Sequence, residues 1–323
     1  MKRVSLFALL VLTVAVNSVV AQQAGQEQQE QQEQQGQQKG RFQFRVAVEA
    51  VNLNVVVTDR NGRFIPGLEA SDFEVLEDGV RQELSLFTSE VTPLTVLLLL
   101  DASTSIRPSV EGIKEAAANF VRKLWDGDQA IVGDFNERIR FSSYFTDDVD
   151  RLIASIQSLY PSGWTALYDS ILISIAKVSG ADGRKALLVF TDGDDSRSLG
   201  QGSEATKDDA VEGAKLSEVT IYAVGFRGRR AAGRRGVNKG FLNRLARETG
   251  GSAFFPKNIG ELNRDFAQIQ EELHSQYRMA YVPKNMKKDG RWRRIEVRIR
   301  GRGDLVVRTR QGYYALPEDR PSM

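Results

Sequence analysis

The sequence contains no cysteine. Disulfides, zinc–thiolate sites, cysteine nucleophiles and a lipid-anchored N-terminal cysteine are all excluded with it. Histidine is nearly absent as well: His274 is the only one. It falls in the last helical segment, near the C-terminal strands, where a Ser-His-Asp triad at a sheet edge is not expected. There is no Walker-type glycine loop and no G-x-S-x-G elbow. An excess of one charge is also missing, since 44 Lys+Arg face 42 Asp+Glu and leave a net charge of +2. Nothing global therefore pulls the chain toward nucleic acid, and no nucleic-acid recognition motif occurs. What remains is a chain of 323 residues, 41% hydrophobic and 27% charged. That is the balance of a folded protein with two or three modest domains.

The N-terminus opens with Lys2 and Arg3 and continues as an apolar run over residues 4–20. Val19 and Ala21 fit the small-residue cleavage pattern, with the cut before Gln22. Residues 1–21 thus predict a signal peptide and an exported protein, whether periplasmic, cell-surface or secreted. The competing reading is an uncleaved anchor, because seventeen mostly apolar residues approach the length that spans a bilayer. Membrane contact is expected only in that case. Residues 22–40, "QQAGQEQQEQQEQQGQQKG", cannot bury apolar surface and read as a glutamine-rich disordered linker. An exported protein without disulfides must rest on its core alone.

From Phe42 the pattern has period two. "FRVAVEAVNLNVVVTDRNG" and "DFEVLEDGVRQELSLF" alternate apolar and polar residues and carry tight-turn signals at Asn61-Gly62 and Asp78-Gly79. Residues 41–92 predict a small β-strand module. Residues 277–323 behave alike, with "YRMAYVP", "RWRRIEVRIR" and "DLVVRTRQGYYA" as alternating segments. Neither flank is long enough for its own core, so the two are expected to pack together as one sandwich. Between them, over 93–276, apolar strands alternate with helical patterns of about a dozen residues. This predicts an α/β domain with a doubly wound, mostly parallel sheet covered on both faces.

In such a sheet, ligands bind beyond the carboxyl ends of the strands. "LLLLDASTSI", residues 97–106, runs from a buried strand into Asp101, Ser103 and Ser105. "VFTDGDDS" ends another strand with Thr191, Asp192 and Gly193, and "SGWTALYDS" sets Thr165 in a Gly-rich turn before a helix. The topology would gather these segments at one edge. Two carboxylates and three hydroxyls, with neither imidazole nor thiol, make a hard-oxygen donor set. That suits Mg²⁺ or Mn²⁺, and Ca²⁺ less strictly. Helix capping by the serines is the competing reading.

"DASTS", the threonine of "WT" and "FTDG" together resemble the metal-ion-dependent adhesion site of von Willebrand factor type A domains, shared with integrin I domains. The resemblance covers about 93–276, and all five motif positions are filled. It implies a Rossmann-like fold in which Ser103, Ser105 and Thr165 are hydroxyl ligands, and Asp101 and Asp192 bind directly or through water. It also implies a protein partner whose Asp or Glu completes the metal shell. The flanking "DFEVLEDG" and "GYYA" segments are similar to a secreted bacterial subgroup in which β segments bracket the type A domain.

Other features carry less. Asp194 and Asp195 read as solvated loop residues, and Asp169 as a first-turn acid favoured by the helix dipole. Arg227, Arg229, Arg230, Arg234 and Arg235 follow a strand and form either a solvated basic loop or a guide for an acidic partner. Arg291 to Arg310 reads as the solvent face of alternating strands, with Ile295, Val297 and Ile299 facing in. Arg302-Gly303-Asp304 spells an adhesion tripeptide but reads as a hairpin turn. The function expected is metal-dependent protein binding without enzymatic activity. A scaffold pairing through strand edges with a merely structural metal is the alternative. A metal-assisted hydrolase is the third.

Overall fold

The computed structural model describes residues 50–90, 92–226 and 237–317. The signal-peptide and linker segments, residues 41–49 of the first flank, the arginines of 227–236 and the last six residues lie outside them.

Among the described residues, fourteen strands and six α-helices follow in chain order. The first flank supplies β1 (Val51–Thr58), β2 (Phe73–Glu77), β3 (Val80–Gln82) and β4 (Leu84–Thr88). The central region runs β5 (Leu94–Asp101), α1 (Val110–Val121), β6 (Gln129–Phe135), β7 (Ile139–Phe141), α2 (Val149–Gln157) and α3 (Leu167–Ser179). It continues with β8 (Arg184–Thr191), α4 (Lys207–Leu216), β9 (Thr220–Gly225), α5 (Lys239–Glu248), β10 (Ala253–Phe254) and α6 (Ile259–His274). The chain then forms β11 (Tyr277–Tyr281), β12 (Trp292–Ile299), β13 (Val306–Arg308) and β14 (Gly312–Tyr314).

The central sheet has six strands in the order β10-β9-β8-β5-β6-β7, all parallel except the β6–β7 pair. Strand β5 lies inside it, and all eight of its residues are buried. Its side chains alternate between two cores. Leu94, Val96, Leu98 and Leu100 pack under α1, α2 and α6, while Leu97 and Leu99 pack under α3, α4 and α5. A strand covered on both faces has no polar side, which is why the sequence there is a continuous leucine run.

The flanks form two four-stranded antiparallel sheets, β13-β1-β11-β4 and β14-β12-β2-β3. Each interleaves strands from both ends of the chain. The period-two pattern of β1 places Val51, Leu53, Val55 and Val57 in a shared core with Tyr277, Met279, Ile295, Val297 and Ile299. The β2–β3 hairpin turns at Asp78 and Gly79, whose φ angles of 48° and 82° are those of a primed turn. On this flank Arg293 departs from the expected solvent face: it is buried and reaches Asp289 at 2.9 Å. The adhesion-like tripeptide lies between β12 and β13, and Arg302 pairs with Asp304 at 3.0 Å.

Candidate metal centre

Asp101 closes β5, and its position follows from the parallel ladder: it pairs with Phe135 at the carboxyl end of β6. Thr191 closes the neighbouring β8. The Thr191 hydroxyl donates to Asp101 Oδ2 at 2.8 Å and accepts from the Gly193 N–H at 3.1 Å. The Ser103 N–H donates to Asp101 Oδ1 at 2.8 Å, an Asx-type turn that bends the chain away from the strand. Gly193 follows Asp192 with φ of 79°, and a Cβ there would meet Leu242 at 3.1 Å and Asn238 at 3.2 Å. Glycine is therefore required where the Thr-Asp-Gly segment turns.

The serines are not helix caps. Ser103 stands at the cap position of the 3₁₀ segment Thr104–Ser109, yet its side chain makes no capping hydrogen bond. The Ser103 and Ser105 hydroxyls instead lie 2.8 Å apart. Asp101, Ser103 and Asp192 are buried, at 0%, 1% and 3% exposure. Burial first, and then the charge of Asp192, push the Asp101 carboxyl up to about 7. The charge of Asp192 thus acts on Asp101 without a compensating cation: among the described residues no Lys or Arg forms an ion pair with Asp101.

Thr165 reaches this edge on a third segment. Its N–H donates to Ser196 Oγ at 3.1 Å, and its carbonyl accepts from the Ser196 N–H at 2.9 Å. The loop before it is stitched to the Asp101 loop: Ser162 N–H donates to the Ala102 carbonyl at 2.8 Å, and Thr104 N–H to the Gly163 carbonyl at 3.2 Å. The Trp164 N–H donates to Glu137 Oε1 at 3.0 Å. Three segments distant in sequence are in this way fixed against one another.

The donor set fits a divalent cation. Among the described residues no cluster of three or more His, Cys, Asp or Glu could hold a metal, so any ion must rely on hydroxyl oxygens beside the two acids. Such oxygen-only donors match Mg²⁺, Mn²⁺ or Ca²⁺ and disfavour Zn²⁺. A cation would also offset the mutual repulsion of the buried acids.

Two acids expected to be ordinary carry tertiary hydrogen bonds. Asp195 is not a solvated loop residue. Its Oδ2 accepts from the Leu167 and Tyr168 N–H groups at 2.7 and 3.3 Å and from the Ser203 hydroxyl at 2.6 Å. Its Oδ1 accepts from the Arg197 and Ser203 N–H groups at 2.7 and 3.0 Å. It caps α3 from a residue 28 positions downstream. Asp169, in the first turn of α3, accepts from the Glu204 and Ala205 N–H groups, both at 2.9 Å. No local pattern marks partners this far away. Thr191 reads in sequence as a strand end, and the structure makes it a support for Asp101; its place one residue before Asp192 is the only local signal.

Residues 95–271 match the von Willebrand factor type A domain. That is more than half of the chain. The protein belongs to the von Willebrand factor type A family. No curated protein matches it. Among solved structures, a von Willebrand factor type A protein from Catenulispora acidiphila is 14% identical, with a TM-score of 0.48, over 86% of this chain and 78% of that one. An aerotolerance-related membrane protein from Bacteroides fragilis is 19% identical, with a TM-score of 0.44, over 56% and 98%. The von Willebrand domain of the type V pili tip protein Mfa5 from Porphyromonas gingivalis is 12% identical, with a TM-score of 0.45, over 56% and 95%. In this type A protein, no helix among the described residues is long and apolar enough to cross a membrane.

Proposed function

We propose that the type A domain is a metal-dependent protein-binding module of an exported protein. Asp101, Ser103, Ser105, Thr165 and Asp192 hold Mg²⁺ or Mn²⁺, with Ca²⁺ a looser fit, and an Asp or Glu of the partner completes the shell. The observation that carries this reading is the pairing of two buried acids with serine hydroxyls that face each other, at the carboxyl end of an interior strand. Neutral hydroxyl ligands leave much of the ion's charge unquenched, which favours an incoming carboxylate.

A protein partner is supported by the surroundings. Tyr160 and Trp164 are 71% and 45% exposed on the loop that hydrogen bonds hold against the Asp101 segment. Rigid exposed aromatics beside a charged centre are common anchors in protein interfaces. Catalysis has less support: His274 lies at the far end of α6, with both ring nitrogens already occupied. The scaffold reading is weakened because the outer strands of both flanking sheets are only three to five residues long, which limits edge pairing.

The test is a peptide library with one Asp or Glu among random residues, panned on the full chain in Mg²⁺. Selected peptides are expected to release in EDTA and to fail on Thr165→Ala. Trp164→Ala should weaken them about tenfold, a typical interface-aromatic loss, while leaving metal binding unchanged. Peptides that stay bound in EDTA would contradict the reading.

A further inference from the structure

A cavity lies at the opposite end of the central sheet. Arg184 and Thr191 stand at the two ends of β8, so the starting edge is roughly 23 Å from the candidate metal centre at about 3.3 Å per residue. The cavity, of about 150 Å³, opens there between the α/β domain and the β1–β11–β4 strands. At about 30 Å³ per water, it has room for about five waters or one small hydrated anion.

Its charge is one-sided. Arg184, Lys185, Lys215, Arg278 and Arg310 line it, against Glu218 and Glu248. Lys215 is already paired with Glu212 at 2.9 Å, and Arg310 lies 3.9 Å from Glu218. Glu248 lies 3.7 Å from Arg247. Among the described residues, Arg184, Lys185 and Arg278 have no carboxylate within ion-pair distance. Two of these cations converge: Arg184 Nε donates to the Thr92 carbonyl at 3.2 Å, and Arg278 Nη1 donates to the Thr92 hydroxyl at 3.0 Å.

Arg184 makes the strongest case. It is 6% exposed, and its Nη2 is buried with no hydrogen-bond partner. A buried guanidinium with an unused donor, brought beside a second guanidinium, is costly unless an anion joins them. The nearby acid Asp128 is committed to Leu94, Trp125 and His274. The planar fork of arginine matches the oxygens of phosphate and carboxylate groups.

We propose that this cavity binds a small free oxyanion, which bridges Arg184 of the α/β domain and Arg278 of the sandwich and so braces the seam between them. The site is independent of the metal centre.

The test is calorimetric titration of the full chain with inorganic phosphate, and separately with succinate, in metal-free buffer at constant ionic strength. One-site binding of either probe is expected, and which probe binds identifies the oxyanion class. Arg278→Gln, a partly exposed position that should fold, should weaken that binding about tenfold or more, the scale of a lost charge-assisted contact. Arg184→Lys, which keeps charge but loses the fork, should weaken it as well. Asp101→Ala should leave it unchanged. Absence of saturable binding by both probes, or equal affinity in the parent and Arg278→Gln, would overturn the proposal.

Discussion

At the residue scale, the carboxylates of this protein divide by what surrounds them. Asp195 is a hub of backbone hydrogen bonds that joins the start of α3 to the loop after β8. Asp195→Ala would strand several N–H groups, so a loss of about 2–4 kcal/mol is expected in urea unfolding. A change below about half a kilocalorie would mean that water replaces the carboxylate without penalty. Asp128 has a different setting. It accepts from Leu94 and Trp125 N–H groups at 2.8 and 2.9 Å and lies 2.7 Å from His274 Nε2. His274 Nδ1 is 2.8 Å from the Gln270 carbonyl, and the imidazole stacks on Trp125 with centroids 4.0 Å apart. Burial opposes ionisation of Asp128, but the hydrogen bonds from His274 and the two N–H groups outweigh it and hold its carboxyl below the usual range. A carboxyl depressed on folding contributes stability above its unfolded value of about 4, and that stability is lost as pH falls through the lower folded value. Asp128→Asn should therefore cost about 3 kcal/mol at pH 7. The gap to the parent should narrow as pH drops below about 4. A gap that stays constant down to the acid transition would show that the Asp128 charge contributes nothing.

At the element scale, the central sheet was readable because its physics is local. Strand β5 is covered on both faces and so is almost wholly apolar up to its closing Asp101, while β12 has one face toward the sandwich core and alternates. Strand β1 alternates only over residues 51–54 and is buried on both faces over 55–58. The placement of Asp101, Ser103 and Ser105 was legible because they end and directly follow such a strand. The placement of Asp192 was legible because it follows a second parallel strand at the same edge, and that of Thr165 because it sits in the Gly-rich turn before α3. What the sequence hid are links that depend on tertiary closure. Nothing near Asp195 announces that its partners are the N–H groups of α3, and nothing near Arg184 announces that Arg278 arrives beside it from β11. The serine cap reading was excluded by geometry alone, since a cap and a paired hydroxyl look alike in sequence.

At the scale of the whole molecule, the sandwich is made of both ends of the chain. Strand β1 pairs with β11 and β13, and β2 pairs with β12 on one side and β3 on the other. Truncation after residue 276 would remove both neighbours of β1 and the central partner of β2. The amide resonances of 50–90 should then collapse into the random-coil range, while those of the α/β domain stay dispersed, as NMR of the truncated chain would show. Retained dispersion over 50–90 would mean that this flank carries its own core, against the expectation for so short a segment. The same interleaving keeps the sandwich at the starting edge of the central sheet, where Arg278 meets Thr92, while Asp101 stands at the carboxyl edge.

Everything at that edge depends on whether it holds an ion. The most direct measurement is calorimetric titration of Mg²⁺ and Mn²⁺ into the full chain, beside Asp101→Ala and Ser103→Ala variants whose folding is verified by circular dichroism. Saturable binding at one site, lost in both folded variants, is the predicted result. No binding in the parent, or unchanged binding in the variants, would contradict it.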